Sequence, residues 1–183
     1  SCLTKPTQGD AFLLGKSIIS EPNEVKKLIA VSPQESAVAN GLTVKENLEL
    51  MCGVFCFDKE KRVKKIEEIS SLLGLDSVLL KKASKLSGGY KRRLSIAMAL
   101  ISEPKILFLD EPTLGLDVIA RSELWDLIKE LKNKATIILT THYMEEAEAL
   151  SSRVAIMKDG LLLVCDTPNK IKEIAGEETF GKA

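Results

Sequence analysis

Several features that would assign this chain to a class of protein are missing from its sequence. No apolar run reaches the roughly 18 residues that a membrane-spanning helix needs, and no basic-then-apolar signal sequence follows Ser1. The four cysteines have no metal-ligand spacing, so we expect reduced thiols of a cytosolic protein. Lys and Arg balance Asp and Glu at 26 each. This balance argues against a general nucleic-acid binder, because such proteins carry a basic excess.

The composition that is present favours one folded domain. The chain has 183 residues, of which 45% are hydrophobic and 28% are charged. This length and this balance are typical of a soluble globular domain with a sizeable core. No internal repeat, low-complexity tract or long linker divides the chain.

Residues 106–112, with the sequence ILFLDEP, contain the most informative stretch of the chain. The unbroken apolar run predicts a strand buried on both faces, as in a parallel sheet. Pro112 ends the strand, so Asp110 and Glu111 lie at its C-terminal end, where open α/β sheets bind ligands. Asp110 is a candidate ligand of Mg²⁺ and Glu111 a candidate base that polarises water. On these two residues alone, a strand that merely ends in polar residues is an equal alternative.

Two further apolar runs predict buried strands that also end in polar residues. Residues 28–31 are followed by Gln34, whose amide suits a metal-bound water but is also typical of a loop. Residues 136–140 are followed by His142, the single histidine. A lone histidine is more often structural. At the C-terminal edge of a sheet, however, His142 becomes a candidate for contacting developing negative charge.

A helical block separates the first strands from the central one. Thr43 and Glu46 have the spacing of a capping box that starts a helix over residues 42–55. Helical periodicity predicts a second helix over residues 59–73, ended by Gly74, and a short helix over residues 76–82.

The tripeptide Ser87-Gly88-Gly89 directly precedes an amphipathic helix. Small residues at a helix start leave backbone amides open, and the helix dipole adds positive potential, so this is a candidate anion site. The pattern alone is weak, since most such cases are simple caps. The following Lys91, Arg92 and Arg93 are expected to form a solvated face.

Short strands are predicted at both ends of the chain. Residues 11–14 and 17–19 flank Gly15. Gly15-Lys16-Ser17 is not a phosphate loop, because Asp10 occupies the position where that motif needs a glycine. Near the other end, residues 154–157 and 161–164 predict a hairpin, and residues 168–174 a closing helix.

These motifs occur together and in an order that resembles the nucleotide-binding domain of ABC transporters. They are Pro33-Gln34, Leu86-Ser-Gly-Gly-Tyr90, Leu107-Phe-Leu-Asp-Glu-Pro112, Gly115-Leu-Asp117 and Thr141-His142. The resemblance covers essentially the whole chain, and residues 140–148 resemble the subgroup that powers ABC-2 type exporters. It implies an α/β fold of the P-loop NTPase kind: a mostly parallel sheet with flanking helices and a helical subdomain inserted at about residues 42–102.

The resemblance also implies roles at the central edge of the sheet. Asp110 resembles the Walker B aspartate that holds Mg²⁺, and Gln34 the glutamine that senses Mg²⁺ and the membrane partner. Glu111 resembles the general base for the attacking water, and His142 the switch histidine on the γ-phosphate of ATP. Such positioning and electrostatics suit phosphoryl transfer.

A second set of residues resembles the parts that meet another subunit. Leu86, Ser87, Gly88 and Gly89 resemble the signature that binds ATP held by the opposite subunit, and Asp117 resembles the D-loop aspartate at the dimer interface. Tyr90 stands where glutamine is commoner in the family. The implied partners are a second nucleotide-binding subunit, arranged head to tail, and a transmembrane permease at the cytoplasmic face of the membrane. No nucleic-acid partner is implied.

One departure from the family is large. The family's phosphate loop, Gly-x-x-x-x-Gly-Lys-Ser/Thr, is absent from residues 1–183, and so is the aromatic residue that stacks on adenine. We therefore expect a domain cut just after its phosphate loop, with the N-terminal part of the fold absent. Residues 1–183 alone are expected to bind ATP weakly or not at all and to be inactive. The alternatives are a degenerate binding module without catalysis and an ABC ATPase outside transport.

Overall fold

The computed structural model describes residues 2, 4–35 and 37–176. They form two units, which divide between Thr140 and Thr141. The first unit contains, in chain order, β1 (Phe12–Leu13), β2 (Lys16–Ser17), α1 (Pro22–Leu28), β3 (Ile29–Ser32), α2 (Val44–Val54), α3 (Lys59–Leu72), α4 (Gly88–Leu100), β4 (Ile106–Asp110), α5 (Val118–Leu131) and β5 (Thr136–Thr140). The second contains α6 (Met144–Leu150), β6 (Val154–Lys158), β7 (Leu161–Asp166) and α7 (Pro168–Ala175).

A parallel sheet in the order β3-β4-β5 forms the centre of the first unit. Its register places Ser32 opposite Leu109, and Asp110 opposite Thr140. Parallel neighbours require crossover connections, and these contain α2, α3 and α4 before β4, and α5 before β5. The predicted α/β architecture with flanking helices is confirmed.

The two faces of this sheet are buried to different extents. Leu107 and Leu109 lie on one face and are fully buried, and on the same face the Ser32 and Ser95 hydroxyls join β3 to α4 at 3.1 Å. On the other face Val31 and Ile138 are 41% and 44% exposed. The prediction that β4 is buried on both faces is therefore only partly correct, because Phe108 on the second face is half-buried. The prediction of buried strands is wrong for Val31 of β3 and for β5, in which no residue is buried.

The exposed row has a simple geometric origin. Side chains alternate between faces along a strand, and the parallel register aligns Val31, Phe108 and Ile138 side by side. Val25 of α1 forms a core cluster with Ile29 and Ile106 on this face, and Leu13 of β1 and Phe108 of β4 pack against it. The row nearer the C-terminal edge is left partly open.

Local signals fix the helices between β3 and β4. The capping box at the start of α2 is formed: the Glu46 amide donates to the Thr43 hydroxyl at 3.1 Å, and the Thr43 amide donates to the Glu46 carboxylate at 2.7 Å. Asp58 caps α3 by accepting from the Lys61 amide at 2.8 Å. Gly74 follows α3 with a φ of +63°, a left-handed conformation that favours glycine.

The short helix predicted over residues 76–82 does not form. Only a single 3-10 turn, Asp76–Val78, is present, and a separate one follows at Ala83–Lys85. The carbonyls of Leu79 and Lys81 instead accept hydrogen bonds from the Lys45 and Val44 amides at the start of α2, at 2.9 and 3.0 Å. These amides lack partners within α2, so residues 79–81 supply carbonyls to them instead of continuing a helix.

Two other helices differ from their sequence-based description. Helix α1 was not predicted, although Pro22 stands in its first turn, where proline is favoured. Helix α4 was predicted to be amphipathic, but all its residues from Leu94 to Leu100 are buried. It is therefore a central helix of the first unit.

The second unit consists of an antiparallel hairpin and two helices. Strands β6 and β7 pair on either side of the predicted turn at Asp159-Gly160. Ala147 of α6 and Ile171 of α7 form a small core with Val154, Ile156 and Val164. Within the described part of the chain, no helix combines the length and the apolar character that crossing a bilayer requires.

Candidate functional site

Strand β4 ends at Asp110, which is exposed at the C-terminal edge of the sheet. Its carboxylate accepts a hydrogen bond from the hydroxyl of Thr140, the residue opposite it on β5. Alternation along the strand places the Asp110 side chain on the partly open face, with Phe108. Thr140 was not singled out from the sequence, because its contact with Asp110 depends on the strand register.

Glu111 lies immediately beyond the strand in a strained backbone conformation. Its φ is +45°, which is uncommon for a residue with a side chain. Its amide donates to the Thr140 carbonyl at 3.1 Å, and its carbonyl accepts from the Leu114 amide at 3.2 Å. Strain of this kind costs on the order of 1–3 kcal/mol and persists only where surrounding contacts hold it.

Gln34 lies at the same edge of the sheet. It follows Ser32, whose partner in the register is Leu109, so Pro33 and Gln34 leave β3 where Asp110 and Glu111 leave β4. The Gln34 side chain is exposed. The structure thus brings together three of the predicted site residues: Gln34, Asp110 and Glu111.

A buried arginine joins these two strand ends. Arg92 of α4 is 4% exposed. Its Nη2 donates to the Asp110 carbonyl at 2.6 Å and its Nε to the Pro112 carbonyl at 2.9 Å. Its Nη1 donates to the carbonyls of Pro33 and, at 3.4 Å, Gln34.

The prediction that Arg92 belongs to a solvated face is therefore wrong. Helical spacing would not have found it, because Ile96 and Ala97, three and four positions after Arg93, are buried just as Ser95 and Ile96 are. Arg93, by contrast, points elsewhere. It pairs with the exposed carboxylate of Glu123 and lies 3.4 Å from the Leu73 carbonyl.

The glycine-rich turn forms the start of α4. Leu86 is buried, and Ser87 is the exposed N-cap whose hydroxyl accepts from the Tyr90 amide at 3.4 Å. Gly88 and Gly89 make the first turn. A Cβ on Gly89 would lie only 3.2 Å from the Cβ of Ala120, so the close approach of α5 favours glycine here.

The segment that contains Asp117 packs beside this turn. The Asp117 carboxylate caps α5 by accepting from the Ala120 amide at 2.9 Å. A Cβ on Gly88 would lie 3.6 Å from Leu116, the residue before Asp117. The structure therefore brings Ser87, Gly88, Gly89 and Asp117 together as a second group, at the contact of α4 and α5.

His142 belongs to the second unit, so its predicted position beside the carboxylates stays a prediction. It is exposed, and its ring centroid lies 4.2 Å from that of Tyr143. No cluster of three or more His, Cys, Asp or Glu side chains able to hold a metal occurs in the described ranges. A cation at Asp110 would need ligands of other kinds.

A parallel sheet whose central strand ends in an Asp-Glu pair, together with a glycine-rich helix start at the contact of α4 and α5, is typical of an α/β nucleotide-binding domain. The model of the family described as ABC transporter matches residues 1–114. The chain belongs to the ABC transporter family.

Individual relatives agree with this assignment. The chain is 36% identical over 178 residues to the doxorubicin resistance ATP-binding protein DrrA of Mycobacterium tuberculosis (strain ATCC 25618 / H37Rv), covering 97% of this chain and 54% of that protein. It is 36% identical over 174 residues to the human phospholipid-transporting ATPase ABCA3, covering 95% of this chain and 10% of the relative.

A solved structure agrees as well. The chain is similar to a structure of the ATP-binding subunit of an ABC transporter, with a TM-score of 0.78 and 26% identity, covering 95% of this chain and 73% of that one. The chain spans about half the length of DrrA and a tenth of that of ABCA3. The activities of the whole relatives are therefore assigned to this chain only as a proposal.

Proposed function

We propose that these residues belong to the ATP-hydrolysing subunit of an ABC exporter. The observation that carries the proposal is the sheet edge where Asp110, Glu111 and Gln34 lie together, held by the guanidinium of Arg92. The names of the relatives support it, since DrrA is called an ATP-binding protein and ABCA3 a phospholipid-transporting ATPase.

The oxygen donors at this edge fit Mg²⁺. That ion takes one or two carboxylates and completes its shell with water and substrate phosphates; Asp110 offers one exposed carboxylate, and Gln34 leaves β3 at the same edge of the sheet. When bound, Mg²⁺ neutralises charge on the phosphates of ATP. Glu111, just beyond the strand, is placed to accept a proton from the attacking water.

Ser87, Gly88, Gly89 and Asp117 are assigned to contacts between subunits, and His142 to catalysis. Ser87, Gly88 and Gly89 present a helix start to the γ-phosphate of ATP on a second subunit, because such a start attracts anions. Asp117 lies beside them at the same interface, and His142 contacts the γ-phosphate. The second subunit is arranged head to tail, and a transmembrane permease holds both at the cytoplasmic face of the membrane.

The phosphate loop is not among residues 1–183. The proposal therefore concerns the groups that receive Mg²⁺, the attacking water and the partner subunit's ATP, and its test uses the full-length protein with its permease.

The measurement compares Mg-ATP hydrolysis and ATP binding by the unaltered protein and Glu111→Gln. We expect kcat to fall about 100-fold or more, because a general base contributes that much, with ATP affinity unchanged within a few-fold.

Glu130→Gln is the matched control, since Glu130 is exposed on α5 and its replacement should leave hydrolysis unchanged. A Glu111→Gln protein as active as the unaltered one would contradict the assignment of the base. ATP binding without hydrolysis by the unaltered protein would favour a non-catalytic module. Robust hydrolysis without any permease partner would favour an ATPase outside transport.

A further inference from the structure

Arg92 connects three separate parts of the chain through one buried side chain. It is carried by α4, the helix that begins with the glycine-rich turn, and its hydrogen bonds reach residues 18 to 59 positions away. The acceptors are backbone carbonyls. Replacing neighbouring side chains would therefore leave them in place, whereas moving either strand end would break them.

At the end of β4, Arg92 contacts the backbone carbonyls of the two residues that flank Glu111. The Asp110 carbonyl precedes it and the Pro112 carbonyl follows it. Glu111 itself has the unfavourable φ of +45°, and a strained backbone persists only where its surroundings hold it. Hydrogen bonds from a charged donor are the strong kind, so the guanidinium opposes relaxation of this turn.

We propose that Arg92 is a positioning residue that fixes the backbone at Glu111 and ties it to the Gln34 segment. This inference rests on the proposed function of Glu111 as the base. The planar guanidinium donates in several fixed directions at once, as the separate contacts of Nε, Nη1 and Nη2 require. A lysine keeps the charge but has a single nitrogen, so it cannot reproduce this set.

The test compares Arg92→Lys with the unaltered full-length protein in two measurements. Steady-state kinetics should show kcat for Mg-ATP reduced about ten- to 100-fold, because small misplacements of catalytic groups have effects of that size, with KM changed less than about threefold. Hydrogen exchange followed by mass spectrometry, without nucleotide, should show about tenfold faster exchange in peptides containing Glu111 and Gln34, because strong hydrogen bonds are lost.

Arg93→Lys is the matched control. It alters the next residue of the same helix, whose guanidinium pairs with Glu123 instead of the strand ends, and it should leave both measurements as in the unaltered protein. Faster exchange with normal kcat would overturn the positioning role. Reduced kcat with normal exchange at Glu111 would overturn it too, since the effect would not pass through the backbone.

The two measurements also separate this inference from the proposed function. Exchange at Glu111 is read without ATP, so it tests the Arg92 contacts even if Glu111→Gln leaves hydrolysis unchanged. If Arg92→Lys does not fold, native-state exchange of the unaltered protein in rising denaturant decides. Amides near Gln34 and Glu111 should then open with one shared free energy, and clearly different opening energies would overturn the inference.

Discussion

The helical segment from Thr43 to Leu86 and the C-terminal edge of the sheet are built in different ways. In the helical segment, the signals that start each helix act over three residues, as in Thr43 with Glu46 and Asp58 with Lys61. At the sheet edge, Arg92 reaches the carbonyls of Pro33 and Asp110, 59 and 18 residues away. One region is specified locally and the other by distant contacts.

The sheet edge is therefore more sensitive to distant substitutions than the helical segment is. The side-chain caps of α2 and α3 join residues three positions apart, although the Val44 and Lys45 amides of α2 also donate to the distant carbonyls of Lys81 and Leu79. The candidate site has no such local caps, because Gln34, Asp110 and Glu111 come into place only when β3, β4 and α4 have assembled. Changes far from the carboxylates are therefore expected to act on them through the sheet.

The largest effect is expected from a substitution in the middle strand of the sheet, which the distant contacts depend on. Leu107 lies fully buried in β4, the middle strand. Replacing it with alanine removes buried carbons and leaves a cavity, so the free energy of unfolding should fall by about 2–5 kcal/mol. Chemical denaturation of the purified protein measures this loss.

Leu80→Ala is the control for that experiment, because Leu80 is 81% exposed. It should change the free energy of unfolding by less than about 0.5 kcal/mol. Equal stabilities of the two variants would show that β4 is not the centre of this unit.

The same contrast explains how much of the molecule the sequence predicts. The helix beginning after Thr43 and the one ending before Gly74 are predicted to within two residues, because their signals lie in the sequence next to them. The three strands are also predicted, since short apolar runs between turns indicate them. The parallel orientation of the strands and the placement of Asp110 at the C-terminal edge of the sheet follow from the same pattern.

What could not be predicted depends on contacts between distant residues. The hydrogen bond from Thr140 to Asp110 requires the β4-β5 register. The burial of Arg92 requires carbonyls from two strand ends, and charge alone favoured a solvated position. The helix expected after Asp76 is lost because the Leu79 and Lys81 carbonyls serve α2 instead.

A smaller effect on stability is expected in the helical segment, where the side-chain caps join residues close in sequence. Thr43→Ala removes the hydroxyl that caps α2 and should lower the free energy of unfolding by about 1 kcal/mol. Thr43→Ser keeps the oxygen and should lose much less. Hydrogen exchange should rise at the start of α2 but not at Glu111. A rise at both places would mean that the helical segment and the sheet edge are not independently specified.

The smallest effect concerns the ion pairs that join the helical segment to residues just before β4 and β5, at the opposite end of the strands from the candidate site. Lys65 of α3 is largely buried and pairs with Glu68 at 2.7 Å and with Glu103, which lies between α4 and β4. Hydrogen bonds from Lys65 are the main cause that holds the pKa of the Glu68 carboxyl and the pKa of the Glu103 carboxyl below their ordinary value. For Glu68, a hydrogen bond from Lys134, just before β5, adds to this lowering of the pKa.

Replacing Lys65 with methionine therefore changes the pH dependence of stability. A carboxyl with a lowered pKa stabilises the fold above its unfolded pKa and loses that contribution as the pH falls through its folded pKa. The unaltered protein should exceed Lys65→Met in stability at neutral pH, and the difference should shrink below about pH 4.5. Both carboxylates are about half-exposed, so the difference should stay below about 1 kcal/mol. Denaturation midpoints between pH 3 and 7 measure it, with Lys64→Met, altered at an exposed pair with Glu60, as the control. A difference that is constant across this range would mean that Lys65 stabilises the protein through packing of its aliphatic stem and not through its charge.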